Sequence, residues 1–414
     1  MLNTIDLFAG CGGLTEGFKS SGKFNLLASV EWEEKPVATL RERLRKHWNY
    51  SDESAKNCVI HFDIQRTKEL LEGFNDDRYG SSIGLDELVG KNKVDVVIGG
   101  PPCQAYSLAG RVRDKNKMQD DYRNYLFESY LKIVKHFKPD LCVFENVPGI
   151  LTSAPGGKLI IERIRDAFNR AGYCISDDLK NDAVFDLSEF GVPQKRKRVI
   201  IIAVRKSQFS NPMEIVGQCY STLNSFKIKK IVTVEDALGD LPKIYVLSVP
   251  EKGKSHYIYS ENLNTEISDH IPRFHNQRDI SIFKLLAKDI ENNTNKYTST
   301  EALKLLYTQK TGRISSVHKY HVLRRNLPSN TIPAHLNKDG LRHIHPDSEQ
   351  ARSITVREAA RLQSFPDNFN FQGGIGDKYK MIGNAVPPDF SKKLALTLSR
   401  VMEQQRIVRD SKPL

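Results

Sequence analysis

The feature that most constrains this chain is a series of short apolar runs in its first half. Each ends at a turn or an acid and is followed by a helical pattern. The runs are TIDLF at 4–8, LLASV at 26–30, CVIH at 58–61, VDVVI at 94–98 and LCVF at 141–144, with a later RVIIIAV at 198–204. They are nearly continuous in apolar residues, as strands buried on both faces are. Segments 35–46, 126–137 and 159–171 carry apolar residues at helical spacing, the last closed by Gly172. Alternating strand and helix predicts an α/β fold with a doubly wound, mostly parallel sheet. From 206 to 350 the chain is polar and basic with weak periodicity, which predicts a smaller, irregular domain. Helical patterns return at 356–364 and 387–405. The expected organisation is a catalytic domain over 1–205, a recognition domain over 206–350, and a part over 351–414 that folds back onto the first.

Composition narrows the class. Hydrophobic residues are 39% and charged residues 27% of 414, enough for a packed core and unlike a disordered chain. There is no apolar run of about 18 residues, so no membrane helix is expected. The N-terminus lacks a charged stretch leading into an apolar one, so an intracellular, cytoplasmic protein is expected. A net charge of +12 favours a polyanionic partner. The six cysteines are scattered with no CxxC pair, which fits neither a zinc ribbon nor a disulfide framework.

Four segments just after strands carry the chemistry, because ligands of open parallel sheets bind at the carboxyl ends of strands. In the first, DLFAGCGGL at 6–14, glycines permit a tight turn and close approach to a nucleotide-like ligand. A plain strand-to-helix turn would read the same. In the second, Glu31 can hold ribose hydroxyls and Trp32 can stack on an adenine, and Asp63 further on can accept from an adenine amino group. Helix-start acids are the alternative for both carboxylates. The third, GGPPCQAYS at 99–107, presents Cys103 on a stiff loop, as a nucleophile would be presented. In the fourth, Glu145 ends a strand in ENVPG, and QKRKR at 194–198 supplies cations.

Together these segments resemble the ordered motifs of the cytosine-5 DNA methyltransferase family. The resemblance continues through TVREAARLQSFPD at 355–367 and IGNAVPP at 382–388 and leaves only about 205–350 unmatched. It implies S-adenosylmethionine as methyl donor and double-stranded DNA as partner. The Cys103 thiolate would attack carbon 6 of cytosine, Glu145 would hydrogen-bond ring N3, and Arg198 would contact the base carbonyl. Carbon 5 would then take the methyl group, and loss of its proton would expel Cys103. Arg196 would hold phosphates and the loop.

By the same carry-over Phe8, Ala9, Gly10, Gly12 and Leu14 would line the cofactor. Glu31 would hold its ribose, and Trp32, Asp63 and Ile64 its adenine. Pro102 and Leu126 would add to the pocket, and Asn384 and Val386 would close the methionine end. Gln104, Ser107, Arg111, Arg113, Gln194 and Arg196 would touch DNA, from which the target base must be flipped. The unmatched segment takes the position of the family's target-recognition domain. Eight of the eleven histidines follow residue 250, but with no cysteine near them no metal is expected.

Three alternatives stand beside this reading. One is an RNA-modifying member, whose tRNA-acting branch carries a Cys-Phe-Thr tripeptide that this chain lacks. Another is an inactive binding protein, against which Cys103, Glu145 and Arg198 speak. The last is a nucleotide-dependent oxidoreductase, which leaves the Pro-Pro-Cys loop unexplained. A short stand-alone chain resembles prokaryotic, monomeric members paired with a restriction endonuclease.

Overall fold

The computed structural model describes residues 1–102, 126–154, 157–246, 258–259, 267–338 and 340–410. Among them the chain forms two compact units. The first comprises Met1–Gly191, Arg196–Lys229 and Ala385–Leu414, and the second Val192–Lys195 and Lys230–Asn384.

An eight-stranded sheet organises the first unit. Its parallel strands are β1 (Leu2–Leu7), β2 (Phe24–Glu31), β3 (Val59–His61), β4 (Val96–Gly99) and β5 (Leu141–Asn146). Two short strands follow, β6 (Tyr173–Cys174) and β7 (Val184–Asp186), and then the long β8 (Lys197–Arg205). The order is β3-β2-β1-β4-β5-β8-β6, with β7 on β8, and β8 runs antiparallel to its partners. The fold is therefore α/β, doubly wound and mostly parallel. The chain leaves β1 toward β2 on one side and β4 lies on the other, so a topological switch point falls between β1 and β4. Residues of β5 are buried along its whole length, which is why LCVF reads as a continuous apolar run.

Helix α1 (Gly13–Ser20) follows β1, α2 (Glu34–Trp48) follows β2, and α3 (Leu126–Phe137) precedes β5. Helix α4 (Ile160–Arg170) precedes β6, and α5 (Pro212–Asn224) covers β8. The second unit holds more order than its sequence periodicity suggests. Its helices are α6 (Val234–Leu238), α7 (Gln277–Glu291), α8 (Thr300–Thr311), α9 (Val356–Leu362) and α10 (Ile375–Asn384). Ile282, Phe283 and Leu286 of α7 pack with Leu303 and Leu306 of α8 around Tyr320. Of the segment expected to fold back, 351–384 belongs to the second unit. Only the part from Ala385, with helix α11 (Pro388–Asp410), belongs to the first.

Helix α11 packs on α1 at backbone distance. A Cβ on Gly17 would lie 2.2 Å from Ser391 Cβ and 2.5 Å from Lys392 N, and one on Gly13 would lie 2.3 Å from Val386 O. Two glycines one turn apart thus make the groove that receives the C-terminal segment. Replacing Gly17 by Leu forces backbone apart and is expected to cost about 1–3 kcal/mol in urea unfolding. Gly217→Ala, on a helix face with nothing within 4 Å, is expected to be neutral or stabilising.

Candidate active site

Three of the five residues from Phe8 to Gly12 adopt left-handed backbone, with φ of 59° at Phe8, 56° at Gly10 and 93° at Gly12. This folds the loop over the end of β1. Phe8 does so without glycine's freedom, a strain of about 1–3 kcal/mol of the kind stored at functional sites. At Gly10 a Cβ would meet nothing within 4 Å, so its outer face is open. The inner face is held by Glu31, whose carboxylate accepts from Gly10 N, Trp32 N and Glu33 N, each at 2.8 Å. Burial pushes the Glu31 carboxyl up to about 7 against those three donors.

Asp6 lies beneath the loop, fully buried. Its Oδ2 accepts from Thr15 Oγ1 at 2.6 Å and its Oδ1 has no hydrogen-bond partner. Burial pushes this carboxyl up to about 7 as well, and the Glu31 charge adds to the shift. Sequence reasoning quoted Asp6 within a motif but gave it no role. The signal was an acid near the end of an apolar strand, a residue that is buried at a cost unless used.

The residues expected around an adenine lie at the ends of β2 and β3. Trp32 is 43% exposed, and its carbonyl accepts from His61 Nε2 at 3.0 Å. Ile64 is buried. Asp63 is half-buried and accepts the Gln65 N–H at 3.0 Å, closing a turn, and does not cap the helix that begins at Thr67. Ala9, Leu14, Leu126 and Val386 are buried, and Pro102 is half-buried at the edge of the described residues. Asn384 is exposed at the end of α10, in the second unit.

A second constellation forms at the ends of β4, β5 and β8. Register places Ile200 beside Glu145, so the start of β8 passes the end of β5. Arg198 Nε then lies 2.8 Å from Glu145 Oε1, both side chains nearly buried. Burial pushes the Glu145 carboxyl up, and Arg198 and Arg196 pull it back. A Cβ on Gly100 would lie 2.6 Å from Glu145 Oε2, so only glycine lets the chain pass the carboxylate there. Asn146 Nδ2, another residue given no role from sequence, donates to Pro101 O at 3.2 Å and fixes the same loop. Cys103 is three residues beyond Gly100. It lies outside the described residues, as do Gln104, Ser107, Arg111 and Arg113.

Two residues expected at DNA are buried. Gln194 is fully buried in the second unit: its amide donates to Leu362 O and Gln363 Oε1 and accepts from Ile332 N. Arg196 is 1% exposed and donates to Ala385 O at 3.1 Å, so it faces the interior and not a phosphate surface.

The sheet order, the glycine loop after β1 and the buried acid–arginine pair beside Gly100 and Pro101 define a doubly wound α/β protein with its candidate site at the strand ends. The family model for C-5 cytosine-specific DNA methylase matches residues 2–400, and the chain belongs to that family. It is 32% identical to a type II methyltransferase of Bacillus paralicheniformis, over 96% of this chain and 98% of that one. It is 30% identical to the type II methyltransferase M.DdeI of Desulfomicrobium norvegicum, over 99% and 91%. In fold it is similar to a putative DNA modification methyltransferase encoded within an E. coli prophage, with a TM-score of 0.61 at 23% identity, over 97% of this chain and 100% of that one.

The Asp6 carboxyl makes a prediction with a definite sign. Its folded value, about 7, lies above its ordinary 3.8. The protonated form is therefore favoured by folding, and the ionised form costs stability progressively as pH rises from about 4 to 7. Asp6→Asn removes that cost. It is expected to match wild type near pH 4 and to exceed it by up to about 4 kcal/mol at pH 8 in urea unfolding.

Proposed function

We propose that this protein is a DNA (cytosine-5-)-methyltransferase that modifies a flipped-out cytosine in duplex DNA with Cys103 as nucleophile. One observation carries the reading. The buried Glu145–Arg198 pair stands against Gly100, three residues before the cysteine. The loop after β1 fits S-adenosylmethionine: Gly10 leaves open space above it, the Glu31 carboxylate faces the same turn, and Trp32 is exposed. Phe8, Gly10, Gly12, Glu31, Trp32, Asp63 and Val386 would hold it. When bound, it supplies an electrophilic methyl group.

The rest is the work of this chain's side chains on the base. The Cys103 thiolate forms a bond to carbon 6, and the electron pair of the 5,6 double bond moves toward carbon 5 and the ring. Glu145, whose carboxyl burial pushes up, would donate a proton toward N3 as charge develops. Arg198 keeps Glu145 oriented and offers its remaining N–H donors to the base carbonyl. Loss of the carbon 5 proton restores the double bond and breaks the sulfur–carbon bond, releasing the thiolate. Arg111 and Arg113 are assigned to DNA backbone contact and the second unit to target recognition. Acting as a monomer in the cytoplasm, the enzyme would protect DNA from a cognate restriction endonuclease, a role supported by the names of its relatives. Among the described residues no helix is long and apolar enough to cross a membrane.

Transfer of labelled methyl from S-adenosylmethionine to mixed-sequence duplex DNA, followed by bisulfite sequencing, tests this. Wild type is expected to label carbon 5 of cytosine within one sequence context. Cys103→Ala should give no product, and Glu145→Gln should be slower by roughly 10²–10⁴-fold. Labelling of RNA but not duplex DNA would overturn the substrate, and full activity of Cys103→Ala would overturn the mechanism.

A further inference from the structure

Arg196 was expected at a phosphate and is instead interior, which raises the question of what a buried guanidinium does there. Its own carbonyl accepts from Leu187 N at 2.9 Å, which fixes the backbone at the start of β8. Its side chain donates to Ala385 O at 3.1 Å. The next residue, Val386, presses its carbonyl against Gly13, the first residue of α1 and the end of the glycine loop. Two residues along β8 in the other direction, Arg198 holds Glu145. Arg196 and Ala385 are also the residues at which the chain re-enters the first unit after its two excursions into the second. One hydrogen bond thus joins the strand that carries the base-side pair to the segment that walls the cofactor loop.

We propose that Arg196 is a positioning residue that couples the Glu145–Arg198 pair to the cofactor loop through Ala385 and Val386, and that it does not bind DNA phosphate. This rests on the proposed reading of the two sites. Removing the donor takes the Arg196 hydrogen bond from Ala385 O and loosens Val386 against Gly13, so cofactor affinity should fall even with no DNA present. A phosphate contact would behave oppositely. It would leave cofactor affinity alone and lower the salt dependence of DNA binding by roughly one counterion.

The experiment measures S-adenosylhomocysteine binding by calorimetry without DNA, and duplex binding as a function of salt. Wild type, Arg196→Met, Arg196→Lys and Arg205→Met are compared. Arg205 lies at the far end of the same strand, where it pairs with Asp140 at 2.7 Å, and controls for a fold that is merely destabilised. Arg196→Met is expected to weaken S-adenosylhomocysteine binding about tenfold or more. Arg196→Lys, which keeps one charged donor, should recover most of that loss. Arg205→Met should bind as wild type does, and the salt slope for DNA should be the same in all four proteins. Wild-type affinity in Arg196→Met, an equal loss in Arg205→Met, no recovery in Arg196→Lys, or a salt slope reduced by about one in Arg196→Met would each overturn the proposal. If wild type itself binds no S-adenosylhomocysteine, the functional reading fails instead.

Discussion

The first unit depends on a contact between its two chain ends in which backbone meets backbone. Gly13 and Gly17 leave no side chain on one face of α1, and Val386, Pro388 and Ser391 occupy that space. Everything on the cofactor side inherits its position from this contact. The loop from Phe8 to Gly12 is held by β1 at one end and by α1 at the other. Glu31 clamps it from below through Gly10 N. A side chain at either glycine would displace the helix, and with it the wall next to the loop. Close-packed interiors transmit such shifts and do not absorb them.

Four buried carboxylates divide by the direction of their pKa shifts. Asp6, Glu31 and Glu145 are pushed up, because each is buried with less charge compensation than it needs. All three sit at the carboxyl ends of strands beside the switch point. Glu358 in the second unit is held well below the ordinary carboxylate range. Arg352 donates to both of its oxygens at 2.7 and 2.6 Å, and the same Glu358 carboxylate caps α9 by accepting from Thr355 N. Nearby, Arg357 spends its guanidinium on Ser268, Pro366 and Phe369. These charges in TVREAARLQSFPD are scaffold. Structure assigns them to holding the second unit together and not to chemistry on a ligand.

The sheet was legible because each strand is short, apolar and stopped by residues with a physical reason to stop it. Leu141 to Phe144 shows this, and so does Val96 ahead of Gly99 and Gly100. The glycine loop and Glu145 were legible for the same reason, since polar residues at strand ends stand out from what precedes them. The segment at 194–198 was not. Five consecutive polar residues look solvated, yet Gln194 and Arg196 are buried while Lys195 and Lys197 are exposed. That alternation is the period of an extended strand, and it is visible only once β8 is known to begin there. Asp6 was missed because its partner Thr15 is nine residues away on a different element. Helices α7 and α8 were missed because each buries only a narrow stripe against the other. Helix α5, just beyond residue 205, packs on β8 and α11 and so lies in the first unit.

The order in which a ribosome delivers this chain gives the α1–α11 contact a further meaning. Strands β1 to β5 and the glycine loop emerge early, while the segment that must fill the groove beside Gly13 and Gly17 emerges only after the whole of the second unit. Until then the apolar face of α1 and the edge of the loop stand open, and contacts of such long sequence separation form late and slowly. The wall beside the loop is therefore absent until the segment from Ala385 has been made. A partly made chain already carries Cys103, Glu145 and Arg198, but the wall beside its cofactor loop is still missing.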